Sequence, residues 1–264
     1  MRAIAVVFDN SGTIIKPIRV IKDIHNNRLL CNHQTVDLVD ERKGRALIVL
    51  NENPLKTVDI ENPYKLISDF LRENDISIAY CNPPIDKEGI FKDKNTKVKE
   101  LQEVLNIVKK YKTDTEYGCA VIVDTKNGNV EYTIATGGCL FKNTKKTFEE
   151  LKNMGIETYI CTGDRKNFLN RISKTLGIDE KNIIYEAHHK KKLDLIRNLK
   201  SNNYFTIMVG DGANDIPAIL ESDLGIATIE SGNPSKRLLE VSDIIIEDIY
   251  EVVDICKEIL NDND

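Results

Sequence analysis

Apolar positions along the chain follow two different rhythms, and they divide it unevenly. Residues 3–8 are an unbroken apolar run that stops on Asp9, with Gly12 turning the backbone soon after. Such a run reads as a buried strand. Beyond it the pattern is mixed. Segments 18–24 and 28–30 flank Asn26-Asn27, a hairpin signal, and residues 45–50 form another strand candidate. Leu66, Ile67, Phe70 and Leu71 have helical spacing, and residues 76–80 read as a strand ended by Asn82-Pro83-Pro84. Val98, Leu101, Val104, Leu105 and Val108 mark an amphipathic helix, and segments 120–123 and 130–134 flank the turn Asn127-Gly128.

From Phe148 onward the order is regular. A helix through Phe148, Leu151 and Met154 stops at Gly155, and a strand covers 156–161. A helix over 168–176 stops at Gly177, followed by a short strand at 183–185. Next come a helix over 192–200 that Lys192 opens, a strand over 205–209, a helix through Ile219 and Leu220, strands at 224–226 and 244–246, and a last helix. Strands alternating with helices predict an α/β fold, a doubly wound, Rossmann-like parallel sheet. The expected division is a core of residues 1–16 with 129–264, and an inserted α+β cap of residues 17–128.

Charge narrows the functional classes. With 37 Lys and Arg against 42 Asp and Glu, the net charge of -5 argues against nucleic acid as a partner. The run Lys190-Lys191-Lys192 reads as a solvated helix start. Six cysteines without CxxC spacing are expected to be reduced and mostly buried, and Cys31-Asn32-His33 offers too few groups for a zinc site. No apolar run approaches a membrane span, and residues 3–8 are too short for a signal peptide. A soluble, cytoplasmic protein without a membrane partner is expected, and the pattern fixes no oligomeric state.

Three strands end in polar loops containing glycine, and in a parallel sheet those ends meet at one edge. The first carries Asp9, a carboxylate that can attack phosphorus and form an acyl phosphate, with loop amides beyond it to hold phosphate oxygens. In the second, Thr162 offers a hydroxyl, Gly163 allows close approach, and Asp164 is a candidate helix cap. The third, Gly210-Asp211-Gly212-Ala213-Asn214-Asp215, crowds two carboxylates into one turn, for which a hard cation such as Mg2+ is the natural partner. A lysine at a helix start, as expected for Lys192, opposes the helix dipole.

Together these stretches resemble the haloacid dehalogenase superfamily, and within it the phosphorylation domain of the P-type ATPases. Asp9-Asn10-Ser11-Gly12-Thr13 stands where that family has Asp-Lys-Thr-Gly-Thr. Thr162-Gly163-Asp164 matches its Thr-Gly-Asp, and Lys192-Leu193-Asp194-Leu195-Ile196 its lysine and apolar helix. Gly210 to Asp215 matches its Gly-Asp-Gly-x-Asn-Asp, continued by Ile216-Pro217-Ala218-Ile219 and by Ser222-Asp223-Leu224-Gly225-Ile226-Ala227. The resemblance implies an Mg2+-dependent phosphohydrolase acting on a small-molecule phosphate, a nucleotide among the candidates, through an aspartyl phosphate. It implies Asp9 as nucleophile and Mg2+ ligand. Mg2+ would also bind the Ser11 carbonyl and Asp211, with Asp215 close by and Asn214 supporting the loop. Thr162 and Gly163 would hold phosphoryl oxygens, and Lys192 would neutralise charge at Asp9 and the phosphate.

Departures qualify the resemblance. Without membrane helices or an actuator segment the chain cannot by itself be a pump. The insert stands in place of the pumps' nucleotide-binding domain, whose Lys-Gly-Ala loop Lys43-Gly44-Arg45-Ala46 partly resembles. Many phosphatases of the superfamily carry a general acid two residues after the nucleophile, and here that catalytic position is Ser11. The alternative reading is a non-catalytic phosphate or nucleotide sensor that keeps the fold.

Overall fold

The computed structural model describes residues 2–30, 33–163, 166–187, 189–232 and 234–261. In chain order the strands are β1 (Ala3–Asp9), β2 (Ile15–Asp23), β3 (Arg28–Leu30), β4 (Arg45–Leu50), β5 (Ile76–Cys81), β6 (Gly118–Asp124), β7 (Asn129–Leu140), β8 (Glu157–Cys161), β9 (Ile183–Ile184), β10 (Tyr204–Gly210), β11 (Leu224–Thr228) and β12 (Ile244–Ile246). The helices are α1 (Thr35–Asp40), α2 (Ile67–Glu73), α3 (Val98–Lys109), α4 (Thr144–Asn153), α5 (Lys166–Leu176), α6 (His189–Ser201), α7 (Ile216–Glu221), α8 (Lys236–Val241) and α9 (Glu251–Asn261). Among the described residues no helix is long and apolar enough to cross a membrane. Two compact units result, Met1–Pro17 with Cys139–Asp264, and Ile18–Gly138.

The first unit is built on a parallel sheet in the order β12-β11-β10-β1-β8-β9. β1 is apolar at every position from Ala3 to Phe8 because both of its faces are covered. Ile4, Val6 and Phe8 pack in a core with Phe148 and Leu151 of α4, Ile172 of α5 and Val252 of α9. Ala5 and Val7 face the other way, into a core with Ile196 and Leu199 of α6, Ala218 of α7 and Leu238 of α8. From β1 the chain builds outward through β8 and β9 on one side, then returns to build β10, β11 and β12 on the other. The reversal puts a topological switch at β1, where open parallel sheets form their crevice.

The second unit has its own sheet, ordered β3-β2-β7-β6-β4-β5. The pairs β2–β3, β4–β5, β4–β6 and β6–β7 are antiparallel. One face packs on α2 and α3 through Phe70, Leu71, Leu101 and Leu105, and the other on α1 through Leu38 and Val39. Read from sequence, the insert closes at residue 128, whereas this unit continues to Gly138. The difference is β7, which stays paired with β6 from Asn129 to Thr136 and so belongs to the antiparallel sheet. Its two hairpin turns use one device. Asp23 accepts hydrogen bonds from the backbone and side-chain amides of Asn26, and Asp124 does so from those of Asn127.

Asp93 ties this unit together. It is 3% exposed and accepts from the amides of Asn95, Thr96 and Val130 and from the Thr96 hydroxyl, at 2.6–3.0 Å. Asp93→Ala strands these donors, and each buried donor left unpaired costs about 1–3 kcal/mol. We expect Asp93→Ala to lower unfolding free energy by about 3 kcal/mol or more in urea titrations, and Asp93→Asn, which still accepts, to lose clearly less.

Candidate active site

The site grows from the C-terminal ends of β1, β8 and β10, which lie side by side. In register Asp9 pairs with Cys161, and Phe8 with Val209, so the loops after all three strands begin at one level of the sheet. After Asp9 the chain folds back tightly. The Asn10 carbonyl accepts from the amides of Thr13, Ile14 and Ile15, and the Gly12 amide donates to Ile15. Gly12 has φ +92, and a Cβ there would overlap the Asp211 carboxylate. Both facts require glycine. Gly210 is small for a similar reason, since a Cβ would lie 2.6 Å from Cγ of Asp215.

Lys192 sits in the fourth position of α6, rather than opening the helix as the sequence reading expects. The residues ahead of it, His189, Lys190 and Lys191, are polar and carry no apolar rhythm, so the pattern begins one turn late. Lys190 and Lys191 are exposed, but Lys192 is fully buried. Its ammonium donates to Oδ1 of Asp9 and, at 2.6 Å, to Oδ1 of Asp215. The other oxygen of Asp215 accepts the Gly212 amide at 3.0 Å. The turn is therefore no exposed acidic loop: Asp215 is fully buried and Asp211 half-buried.

Two carboxylates thus share one ammonium with a third close by, and oxygens of Asp9, Asp211 and Asp215 lie within 4.8 Å of one another. Burial, then the Asp215 charge, push the Asp9 carboxyl up to about 8 despite Lys192 beside it. Burial and Asp215 likewise push Asp211 up to about 6. Burial opposes the charge on Lys192, but Asp9 and Asp215 outweigh it and raise its pKa. A surplus of negative charge held on oxygen donors fits a hard divalent cation.

The other expected site residues fall around this cluster. Thr162 follows β8 and is buried, its backbone bonded to Ile184 and Ala187. Gly163 is exposed, and a Cβ there would meet nothing within 4 Å, so no packing among the described residues demands a glycine. Ser11 is exposed at the turn after Asp9. Asp164 lies outside the described residues, as do Cys31 and Asn32 of the Cys31-Asn32-His33 triplet. Cys119, Cys161 and Cys256 are buried without disulfides. Sequence reasoning missed Ser231, whose hydroxyl donates to Asp211 at 3.3 Å, and Ser235, whose amide donates to the Asp211 carbonyl at 2.8 Å. The available signal was their place just beyond a fourth strand, β11, that ends at the same edge.

Within the second unit, Lys43-Gly44-Arg45-Ala46 is occupied with structure. The Gly44 amide bonds to Asn82, and its carbonyl accepts from the amide and hydroxyl of Thr125. Arg45 is 8% exposed, pairs with Glu131 and Glu41, and stacks 5.5 Å over Tyr132. Its guanidinium already has its partners.

Comparison with known proteins gives the family. The chain is 59% identical over 258 residues to a protein of Methanocaldococcus jannaschii named soluble P-type ATPase-like phosphatase, covering 98% of this chain and 94% of that one. It is 36% identical over 144 residues to a probable copper-exporting P-type ATPase of Archaeoglobus fulgidus, covering 54% of this chain but 17% of the pump. The catalytic CPx-ATPase domain CopB-B shares the fold, with a TM-score of 0.50 at 20% identity over 97% of this chain and 89% of that domain. Residues 5–223 match the family of haloacid dehalogenase-like hydrolases, and the chain belongs to that family.

Proposed function

We propose that this hydrolase is an Mg2+-dependent phosphatase that works through an aspartyl phosphate on Asp9. The observation that carries the proposal is the clustering of Asp9, Asp211 and Asp215 at the C-terminal edge of the sheet, with the buried Lys192 bonded to Asp9 and Asp215. The name of the Methanocaldococcus relative, a soluble phosphatase, supports it. Asp9, Asp211 and Asp215, with the Ser11 carbonyl, would hold Mg2+, which supplies positive charge against the phosphoryl oxygens.

In this reading an oxygen of the Asp9 carboxylate attacks phosphorus, and the bond from phosphorus to the leaving oxygen breaks with its electron pair. Water then attacks the acyl phosphate at phosphorus, the bond to Asp9 breaks, and the carboxylate and inorganic phosphate are restored. The Asp9 oxygens lose their own charge on phosphorylation, which leaves the ammonium of the buried Lys192 to face the new phosphoryl charge. Thr162 and Gly163, one and two residues beyond the register partner of Asp9, would hold the remaining oxygens.

Ser11 shapes the choice of substrate. Its hydroxyl is far too weak an acid to protonate a leaving alkoxide. Asp215 cannot stand in, since Lys192 and the Gly212 amide already take its two oxygens. The leaving groups of phosphoanhydrides, acyl phosphates and activated aryl phosphates depart without a proton, and the enzyme should prefer these substrates to alkyl phosphates.

Asp9→Asn should abolish turnover and acid-stable labelling by radioactive phosphate while leaving the circular dichroism unchanged; residual turnover near wild type would remove Asp9 from the role. In kcat/KM comparisons, acetyl phosphate and p-nitrophenyl phosphate should exceed alkyl phosphomonoesters by roughly a hundredfold, a gap typical of missing acid catalysis, and Ser11→Asp should narrow it. In chelator, Asp211→Asn should melt no lower than wild type, because it relieves like-charge repulsion. Added Mg2+ should raise only the wild-type melting temperature.

A further inference from the structure

Asp211 differs from its two neighbours in what holds it. Asp9 and Asp215 are both bonded to Lys192, and Asp215 also to the Gly212 amide. Asp211 is bonded to neither, and its side chain extends over Gly12, where the missing Cβ leaves it room. A side-chain bond to it comes from another strand end. The Ser231 hydroxyl donates to Oδ2 at 3.3 Å, the same oxygen that lies nearest to where a Gly12 Cβ would be.

The segment that presents Ser231 is itself secured. The Ile229 amide donates to Ile246 on β12 at 3.0 Å, and the Glu230 amide to the Thr228 hydroxyl at 3.2 Å. The Gly232 amide closes back on the Ile229 carbonyl at 2.9 Å, with Gly232 at φ +78. Beyond it the Ser235 amide donates to the Asp211 carbonyl at 2.8 Å. The loop after β11 therefore grips Asp211 twice, at the backbone and at the carboxylate. A carboxylate that must meet a cation gains affinity when its rotation is fixed beforehand, since less side-chain freedom is lost on binding.

We infer that Ser231 is a positioning residue for Asp211, holding one carboxylate oxygen so that the group is set for the cation. The inference rests on the metal reading of the three carboxylates given above. A serine serves here because the donor must be short and must not add charge beside an already raised carboxylate.

The test is calorimetric titration of the full chain with Mg2+, beside melting curves in chelator. Ser231→Ala should weaken Mg2+ binding roughly tenfold, the low end for partners of metal-ligating groups, with the melting temperature in chelator unchanged. Ser231→Thr, which keeps the hydroxyl, should bind within about twofold of wild type. Wild-type affinity in Ser231→Ala overturns the inference, and so does an equal loss in Ser231→Thr. A fall in chelator melting that accompanies the loss in Ser231→Ala overturns it too, because the serine would then be structural. Asp211→Asn separates this from the metal reading. If it keeps wild-type Mg2+ affinity, the metal reading itself fails; if it loses binding while Ser231→Ala does not, only the inference fails.

Discussion

A fully buried ammonium shared by two carboxylates is the constraint on which the catalytic unit turns. Lys192 has no exposed surface, and neither has Asp215. An isolated charge at that depth would be expelled or neutralised. It persists because Asp9 arrives from β1, Asp215 from the turn after β10, and the lysine from the first turn of α6. Each of these elements must be placed for the other two to be tolerated. The pair β1–β10 and the packing of α6 against Ala5 and Val7 are what place them.

That constraint explains which parts of the fold are regular. The three central strands are apolar just before they end, at Val7-Phe8, Ile160-Cys161 and Met208-Val209, and polar loops begin where they stop. Apolar packing fixes the level of the strand ends, and the register then brings Asp9 beside Cys161 and next to the β10 terminus. The glycines at 12 and 210 follow from the crowding, because carboxylates fill the space their side chains would need.

The same logic separates what was legible in the sequence from what was not. Strand ends carrying Asp9, Thr162 and Asp211 are local signals, since an apolar run stopping on a polar glycine loop needs no tertiary contact to be read. The hairpins at Asn26-Asn27 and Asn127-Gly128 are local too, and both form. The start of α6 escaped because three polar residues precede its apolar face, and the burial of Lys192 among exposed lysines is purely tertiary. The end of the insert escaped because β7 outlasts its hairpin, and only its partner β6 reveals how far. The helices α1 and α8 are six residues each, too short for periodicity to register. Ser231 lies 20 residues from Asp211, in a loop whose ordinary composition gave no reason to single it out.

Charge is where stability and chemistry pull apart. Three carboxylates against one ammonium leave the cluster over-negative, and burial first, then the Asp215 charge, raise the carboxyls of Asp9 and Asp211 to about 8 and about 6. Folding alone would favour fewer acids here, since each adds repulsion in a buried setting. A nucleophile has the opposite need, because it must be ionised while close to an anionic phosphate. One lysine can hold Asp9 and Asp215 in place, but it cannot also neutralise Asp211, to which it makes no bond. The unbalanced charge is therefore concentrated on the carboxylate that the ammonium leaves to others. A cation binding there would relieve the repulsion that folding tolerates, so that loading the site and ionising Asp9, the proposed nucleophile, would become one equilibrium.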